Sequence, residues 1–163
     1  MISPRLAKGL AKKYLLDKRT QDGGYFFNHT KGVVSAVKIL SDKFKLDKEK
    51  MISFAWVHDI GYFLNDMENH AENSLKLLEK EKIVLGEAGK DSILNHGNNG
   101  VPSTFEGKIM QIADKLSILN EDFLKVLVKN EKIKRDEIDF VEMMCKKALE
   151  MLNKLNELKA QED

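Results

Sequence analysis

Apolar side chains recur along this chain at steps of three and four, the spacing that lines one face of an α-helix. The segment from Pro4 to Lys18 carries Leu6, Leu10 and Tyr14 in one such stripe, which stops before the turn signal Asp22-Gly23-Gly24. A second helix is predicted from about Asn28, with Val33, Val37, Leu40 and Phe44 as its buried face and His29 one turn further back along it. The third, from about Asp47 to Phe63, is apolar on most sides through Met51-Ile52 and Phe54-Ala55-Trp56-Val57, the pattern of a central helix. It leads into His58-Asp59, and Gly61 is its expected stop or kink.

A fourth helix is expected from about Asn69 to Lys80, with His70 in its first turn and Leu75, Leu77 and Leu78 packing. A fifth, near Gly86 to Asn95, carries Ile93-Leu94 up to His96, and Gly97-Asn98-Asn99-Gly100-Val101-Pro102 is the strongest loop signal in the chain. The sixth, from about Thr104 to Asn120, sets Asp114 on one face with Met110, Ser117 and Ile118. Beyond an interruption at Lys129-Asn130-Glu131, the positions Ile138, Val141, Met144 or Cys145, Ala148, Leu152, Leu155 and Leu158 form a long terminal stripe. That helix covers the core or a neighbouring subunit. The pattern therefore predicts an all-α protein of about six or seven helices plus a long C-terminal helix. One domain is expected over residues 1–163, with its core at about 25–120 and the terminal helix at about 134–160.

Composition narrows the picture. With 163 residues, 42% of them apolar, the chain can bury one well-formed core. Its 27 basic and 26 acidic side chains are interspersed and leave a net charge of +1, which argues against a nucleic acid polymer as the main partner. No stretch approaches the roughly 20 apolar residues of a membrane span, and Arg5, Lys8, Lys12 and Lys13 break up the N-terminus. The single cysteine, Cys145, has no intrachain partner and reads as a small packing residue. A cytoplasmic protein without a membrane partner is the expectation.

Against this apolar background, six polar side chains fall where the core should be. His29, His58, Asp59, His70, His96 and Asp114 each sit beside or within an apolar helical pattern. Ionised carboxylates and imidazoles are costly to bury unless paired or coordinated, and this set offers nitrogen and oxygen ligands for one or two divalent cations. His70 and His96, at helix ends, can equally be read as caps or solvated side chains. His58-Asp59 and Asp114 resist that reading because apolar neighbours surround them.

The series His29, His58-Asp59, His70, His96, Asp114, with the runs His58-Asp59-Ile60-Gly61 and Ile112-Ala113-Asp114-Lys115, resembles the HD-domain metal-dependent phosphohydrolase superfamily. The resemblance covers roughly Tyr25 to Leu119. It implies the helical HD fold, a first metal on His29, His58, Asp59 and Asp114, and, in dinuclear members, a second metal on His70 and His96 with Asp59 bridging. The divalent ions it implies are Fe, Mn, Mg, Co, Ni or Zn. Two such ions with two carboxylates leave a charge of about +2, suited to an anionic phosphoester. The implied chemistry is hydrolysis by cation-activated water, with Asp59 in a catalytic role and a nucleotide or other small phosphorylated metabolite as substrate.

Lys115, next to Asp114, is a second catalytic candidate, able to neutralise transition-state charge, and a surface helix lysine is the competing reading. Lys31, close after His29, has the same two readings. Glu72, close after His70, either orients a ligand or is a solvated helix glutamate. The loop Gly97 to Pro102 either brings backbone amides to a substrate or is a flexible connector. The ligand pattern most resembles small stand-alone bacterial-type HD proteins, including a branch that hydrolyses dinucleoside polyphosphates. No paired His-His follows His58-Asp59-Ile60-Gly61, which disfavours a cyclic dinucleotide. The interval from Asp59 to His70 is short. If His70 points away, the site holds one metal and is like the 5′-nucleotidase-like phosphatases of the superfamily. A non-catalytic sensor that keeps the fold and its metal is the alternative from a different class. The terminal stripe also motivates a homodimer.

Overall fold

Side-chain caps set several of the helix starts, and the apolar stripes decide which faces turn inward. In the computed structural model, which describes residues 2–20, 24–120 and 135–160, seven α-helices run as α1 (Pro4–Leu15), α2 (Tyr25–Phe44), α3 (Lys48–Val57), α4 (His70–Lys80), α5 (Glu87–Leu94), α6 (Phe105–Leu116) and α7 (Arg135–Ala160). Short 3-10 turns occur at Lys18–Thr20, Ile60–Leu64 and Ser117–Leu119. There is no strand among the described residues, so the fold is all-α. Ser3 caps α1 ahead of Pro4, Asp47 caps α3 by accepting from the Lys50 N–H (3.0 Å), and Thr104 caps α6 by accepting from the Gly107 N–H (3.0 Å).

The central-helix expectation for α3 holds. Met51, Ser53, Phe54, Ala55, Trp56 and Val57 are all buried, and α3 packs against both α1 and α2. Helix α2 also lies along α6, α5 packs on α6, and α4 packs on the Ile60–Leu64 turn. Val33, Val37, Leu40 and Phe44 form the inner face of α2. Each fully buried side chain of this kind contributes roughly 1.5–3 kcal/mol. Helix α7 closes over α6, buries Ala148 and places Leu155 in the same core, while Val141 and Cys145 pack around Ile118. Ile138 and Leu158 lie outside the residues whose side chains are described, as do Lys129-Asn130-Glu131 and Asp22-Gly23 of the expected interruptions.

Four expectations need correction. Leu6 is 50% exposed, and the inner face of α1 is Ala7, Leu10, Ala11 and Tyr14 instead, the full i, i+3, i+4, i+7 set of a 3.6-residue period. Helix α1 stops at Leu15 rather than Lys18, and α6 passes into a 3-10 turn after Leu116. Helix α3 ends at Val57 rather than Phe63. There the Gly61 N–H donates to the Ser74 hydroxyl oxygen (2.8 Å), and that hydroxyl donates to the His58 carbonyl oxygen (2.7 Å). A side chain on α4 thus takes over the two backbone groups that a longer helix would have used. A Cβ on Gly61 would collide with the backbone of His70 and Ser74, so glycine is what lets α4 come this close.

Candidate metal centre

Each of the four histidines is held by its Nδ1. The His58 Nδ1 lies 2.8 Å from the Ala55 carbonyl oxygen, the His70 Nδ1 2.8 Å from that of Met67, and the His96 Nδ1 2.6 Å from that of Ile93. In all three the acceptor is the carbonyl three residues back, and for His58 and His96 it belongs to the last turn of a helix, where carbonyls lack an intrahelical partner. His29 is held differently. The close crossing of α2 over the Ser117–Leu119 turn, where a Cβ on Gly32 would lie 2.6 Å from the Ser117 carbonyl oxygen, brings the Ser117 hydroxyl 3.0 Å from the His29 Nδ1. That hydroxyl donates to the Asp114 carbonyl oxygen (2.6 Å), so it accepts from His29.

The consequence is a fixed tautomer. Where Nδ1 is the donor, the neutral ring turns an unprotonated Nε2 toward the site. Asp59 Oδ2 faces His29 Nε2 (3.4 Å) and His58 Nε2 (3.2 Å), and Asp114 Oδ1 completes this group at 3.0 Å from His29 Nε2 and 3.7 Å from His58 Nε2. On the other side, Asp59 Oδ1 faces His96 Nε2 (3.2 Å) and His70 Nε2 (3.6 Å), and those two nitrogens are 3.1 Å apart. His58 Nε2 and Asp59 Oδ1 are fully buried without a hydrogen-bond partner. Lone pairs that converge at this spacing repel one another unless positive charge lies between them.

Electrostatics agrees. Burial disfavours a charged His58, yet the carboxylates of Asp59 and Asp114 outweigh it and lift the imidazole to about 10. Burial likewise opposes ionisation of Asp59 and Asp114, but the surrounding imidazoles hold both carboxyls well below the usual carboxylate range. The cluster therefore takes up positive charge, whether as protons or as cations. The ligand atoms of His29, His58 and Asp114 lie within 4.8 Å of one another, as do those of His58, Asp59 and His96. Imidazole and carboxylate donors at this spacing fit a divalent transition ion.

The structure brings all six expected ligand residues together. His70 and His96 are not simply solvated side chains, since both aim Nε2 at Asp59 while Nδ1 holds a carbonyl oxygen. His58, Asp59 and His96 form the buried floor, while His29, Asp114 and His70 stand at the open rim. Lys115 is no surface lysine. It is completely buried, donates to the carbonyl oxygens of Gln111 (3.3 Å) and His96 (3.4 Å), and is pushed below the usual lysine range by burial, which the Asp114 carboxylate partly offsets. Lys31 donates to the Asn28 side-chain oxygen (3.3 Å), and Glu72 is exposed on α4. The loop after His96 is anchored: the Gln111 amide donates to the carbonyl oxygens of Gly97 (2.8 Å) and Gly100 (2.9 Å), and Lys147 on α7 donates to that of Asn98 (3.0 Å).

Several residues that shape the centre escaped the sequence reading. Ser74 and Gln111 are ordinary polar positions whose only signal is that each falls among the apolar residues of an amphipathic helix. Tyr62 is another. Its ring is stacked between Phe26 and His70, and burial, then the carboxylates of Asp59 and Asp114, keep its phenol protonated well above its ordinary range.

Residues 26–119, more than half of the chain and the span that holds all six ligand candidates, match the family model of the HD domain. The chain belongs to the HD-domain family. It is also 29% identical over 112 residues to a deoxyguanosinetriphosphate triphosphohydrolase-like protein of Caldanaerobacter subterraneus subsp. tengcongensis, a match covering 58% of this chain and 33% of that protein. The chain thus spans about a third of that relative's length. No solved structure matches the chain with significance. Among the described residues, no helix is long and apolar enough to cross a membrane.

Proposed function

We propose that this protein is a metal-dependent phosphohydrolase that binds two divalent cations and cleaves a phosphoester or phosphoanhydride of a nucleotide or related small phosphorylated metabolite. The observation that carries this reading is the division of labour at Asp59, one oxygen facing the His29, His58 and Asp114 group and the other facing the His70 and His96 pair. The family membership and the printed name of the triphosphohydrolase-like relative support a phosphohydrolase in general.

Divalent cations, when bound, activate water and withdraw charge from a phosphoryl oxygen. The chain's own residues supply the rest. Asp59 and Asp114 contribute two negative charges against the four of two cations, so the pair keeps about +2 for an anionic substrate. The Nδ1 contacts fix the imidazoles of His29, His58 and His96 before anything binds, so little reorganisation is needed there. The open rim at His29, Asp114 and His70 gives a phosphoryl group its approach. Lys115 lies behind Asp114 and acts by fixing the His96 backbone, a positioning role, rather than by touching substrate. The spacing of 3.1 Å between His70 and His96 favours two ions over the one-ion, 5′-nucleotidase-like reading.

The test joins metal analysis to an activity screen on one sample. Wild type, Asp59→Ala and His70→Ala are assayed for phosphate release from nucleoside mono-, di- and triphosphates and dinucleoside polyphosphates. The reading expects two ions per chain in wild type and loss of activity in both variants. A metal-loaded protein that turns over nothing in the panel yet binds a nucleotide tightly would overturn it in favour of a sensor. Full activity in His70→Ala with one ion would return the one-ion phosphatase. A second copy meeting the exposed Met143 and Leu149 of α7 is the form the expected homodimer takes, and a monomeric mass by light scattering rejects it.

A further inference from the structure

His70 is the most open of the four imidazoles, its side chain 18% exposed where His58 is at 0% and His96 at 5%. Core packing immobilises His58 and His96. Rotation of the His70 ring, by contrast, would carry Nε2 away from both Asp59 and His96, and the single Nδ1 contact to Met67 leaves that rotation weakly opposed. What opposes it is an aromatic stack. Tyr62 lies parallel to the His70 ring at 4.4 Å between centroids with a 5° interplanar angle, and Phe26 covers the other face of Tyr62 at 3.7 Å and 14°. Phe26 comes from the first turn of α2, three residues before His29, and Tyr62 from the 3-10 turn that follows Asp59. The stack therefore joins the three elements that carry His29, Asp59 and His70.

We infer that the Phe26–Tyr62–His70 stack is a clamp for the second cation, with Tyr62 the positioning residue that holds His70 in ligating orientation. This rests on the two-ion reading of the same site. The clamp acts on one half of the centre only. His29, His58 and Asp114 are held by α2, α3, α6 and Ser117, none of which needs the Tyr62 ring. It also acts through the ring, because stacking is a property of the aromatic face. The hydroxyl is dispensable for it.

The experiment is equilibrium dialysis of the purified full chain against Mn²⁺ with elemental analysis, on wild type, Tyr62→Phe, Tyr62→Leu and Phe26→Leu, with a thermal melt for each. Wild type and Tyr62→Phe are expected to hold two ions per chain with equal affinities. Tyr62→Leu keeps the first ion and binds the second about tenfold to a hundredfold more weakly, the range for loss of a group that orients a metal ligand. Phe26→Leu, which loosens the stack from its far side without touching His70, shows a smaller shift in the same direction and serves should Tyr62→Leu fail to fold. Equal second-ion affinity in wild type and in the leucine variants overturns the clamp, as does loss of the second ion in Tyr62→Phe. So does parallel loss of both ions in a folded Tyr62→Leu. One ion in wild type overturns the two-ion reading itself, and is told apart because it is seen before any substitution.

Discussion

Two carboxylates with little solvent exposure, Asp59 and Asp91, are treated in opposite ways. Asp91 on α5 is surrounded by donors: its Oδ2 accepts from the Thr104 N–H (2.8 Å) and hydroxyl (2.6 Å), and its Oδ1 from the Asn95 amide (2.8 Å) and the Ser103 N–H (3.2 Å). Burial works against its charge, but these donors win and hold it below the usual carboxylate range. Asp59 has no such donors. Its oxygens face the Nε2 atoms of four imidazoles, each ring held from behind through Nδ1. Low exposure alone does not mark a candidate functional carboxylate. The identity of what faces it does: Asp91 ties the start of α6 to α5 and is complete within the chain, whereas Asp59 is completed only by charge from outside.

The comparison is sharpest under substitution. Asp59→Ala should lower phosphohydrolase activity by about a thousandfold or more, a loss of several kcal/mol of transition-state stabilisation, and should take up at most one ion by elemental analysis. Asp91→Ala should do the reverse. Urea unfolding should show a loss of about 3 kcal/mol, since the Thr104 and Ser103 donors are left buried and unpaired, while the remaining folded protein keeps the wild-type metal stoichiometry. An Asp91→Ala protein that folds normally but loses its metal would break the distinction.

Smaller effects probe the rim. Ser117→Ala removes the acceptor that fixes His29, and calorimetry should record a fall in first-ion affinity of roughly tenfold to a hundredfold. The pH dependence follows from the His58 value of about 10, which means that a proton competes with the cation throughout the neutral range. Cation binding requires that proton to leave, so affinity rises with pH and falls on acidification, by about tenfold per unit for each proton displaced. The carboxylates, held low, stay ionised and add nothing to this slope. Affinity measured between about pH 6 and about pH 8 that does not change would contradict a proton held on His58. Glu72→Gln should alter stability by less than about 0.5 kcal/mol, because the side chain is exposed on α4.

The amphipathic periods were enough to predict the helices, the central place of α3, and the inner face of α2, because each helix buries a stripe its own sequence spells out. They were misleading where a partner element intervenes. Leu6 looked like part of the α1 stripe until packing against α3 selected Ala7 and Ala11, and α3 looked longer until Ser74 captured the backbone around His58 and Gly61. The six candidate ligand residues were legible as polar intrusions into apolar patterns and by their resemblance to a known series. The roles of Ser74, Gln111, Tyr62 and Asp91 were not, since a serine, a glutamine or a tyrosine on an amphipathic helix or turn reads the same whether it meets water or a neighbour.

By itself the sequence singled out the candidate ligand side chains and placed them toward a helical core, because residue type and periodicity are local properties. Only the tertiary structure decided how those side chains divide. The split of Asp59 between two histidine pairs, the burial of Lys115 behind the site rather than on the surface, and the stacking of Tyr62 on His70 all join residues far apart in the chain. Periodicity fixes a face, but not which face it meets or at what distance, and at this centre the distances set the charge.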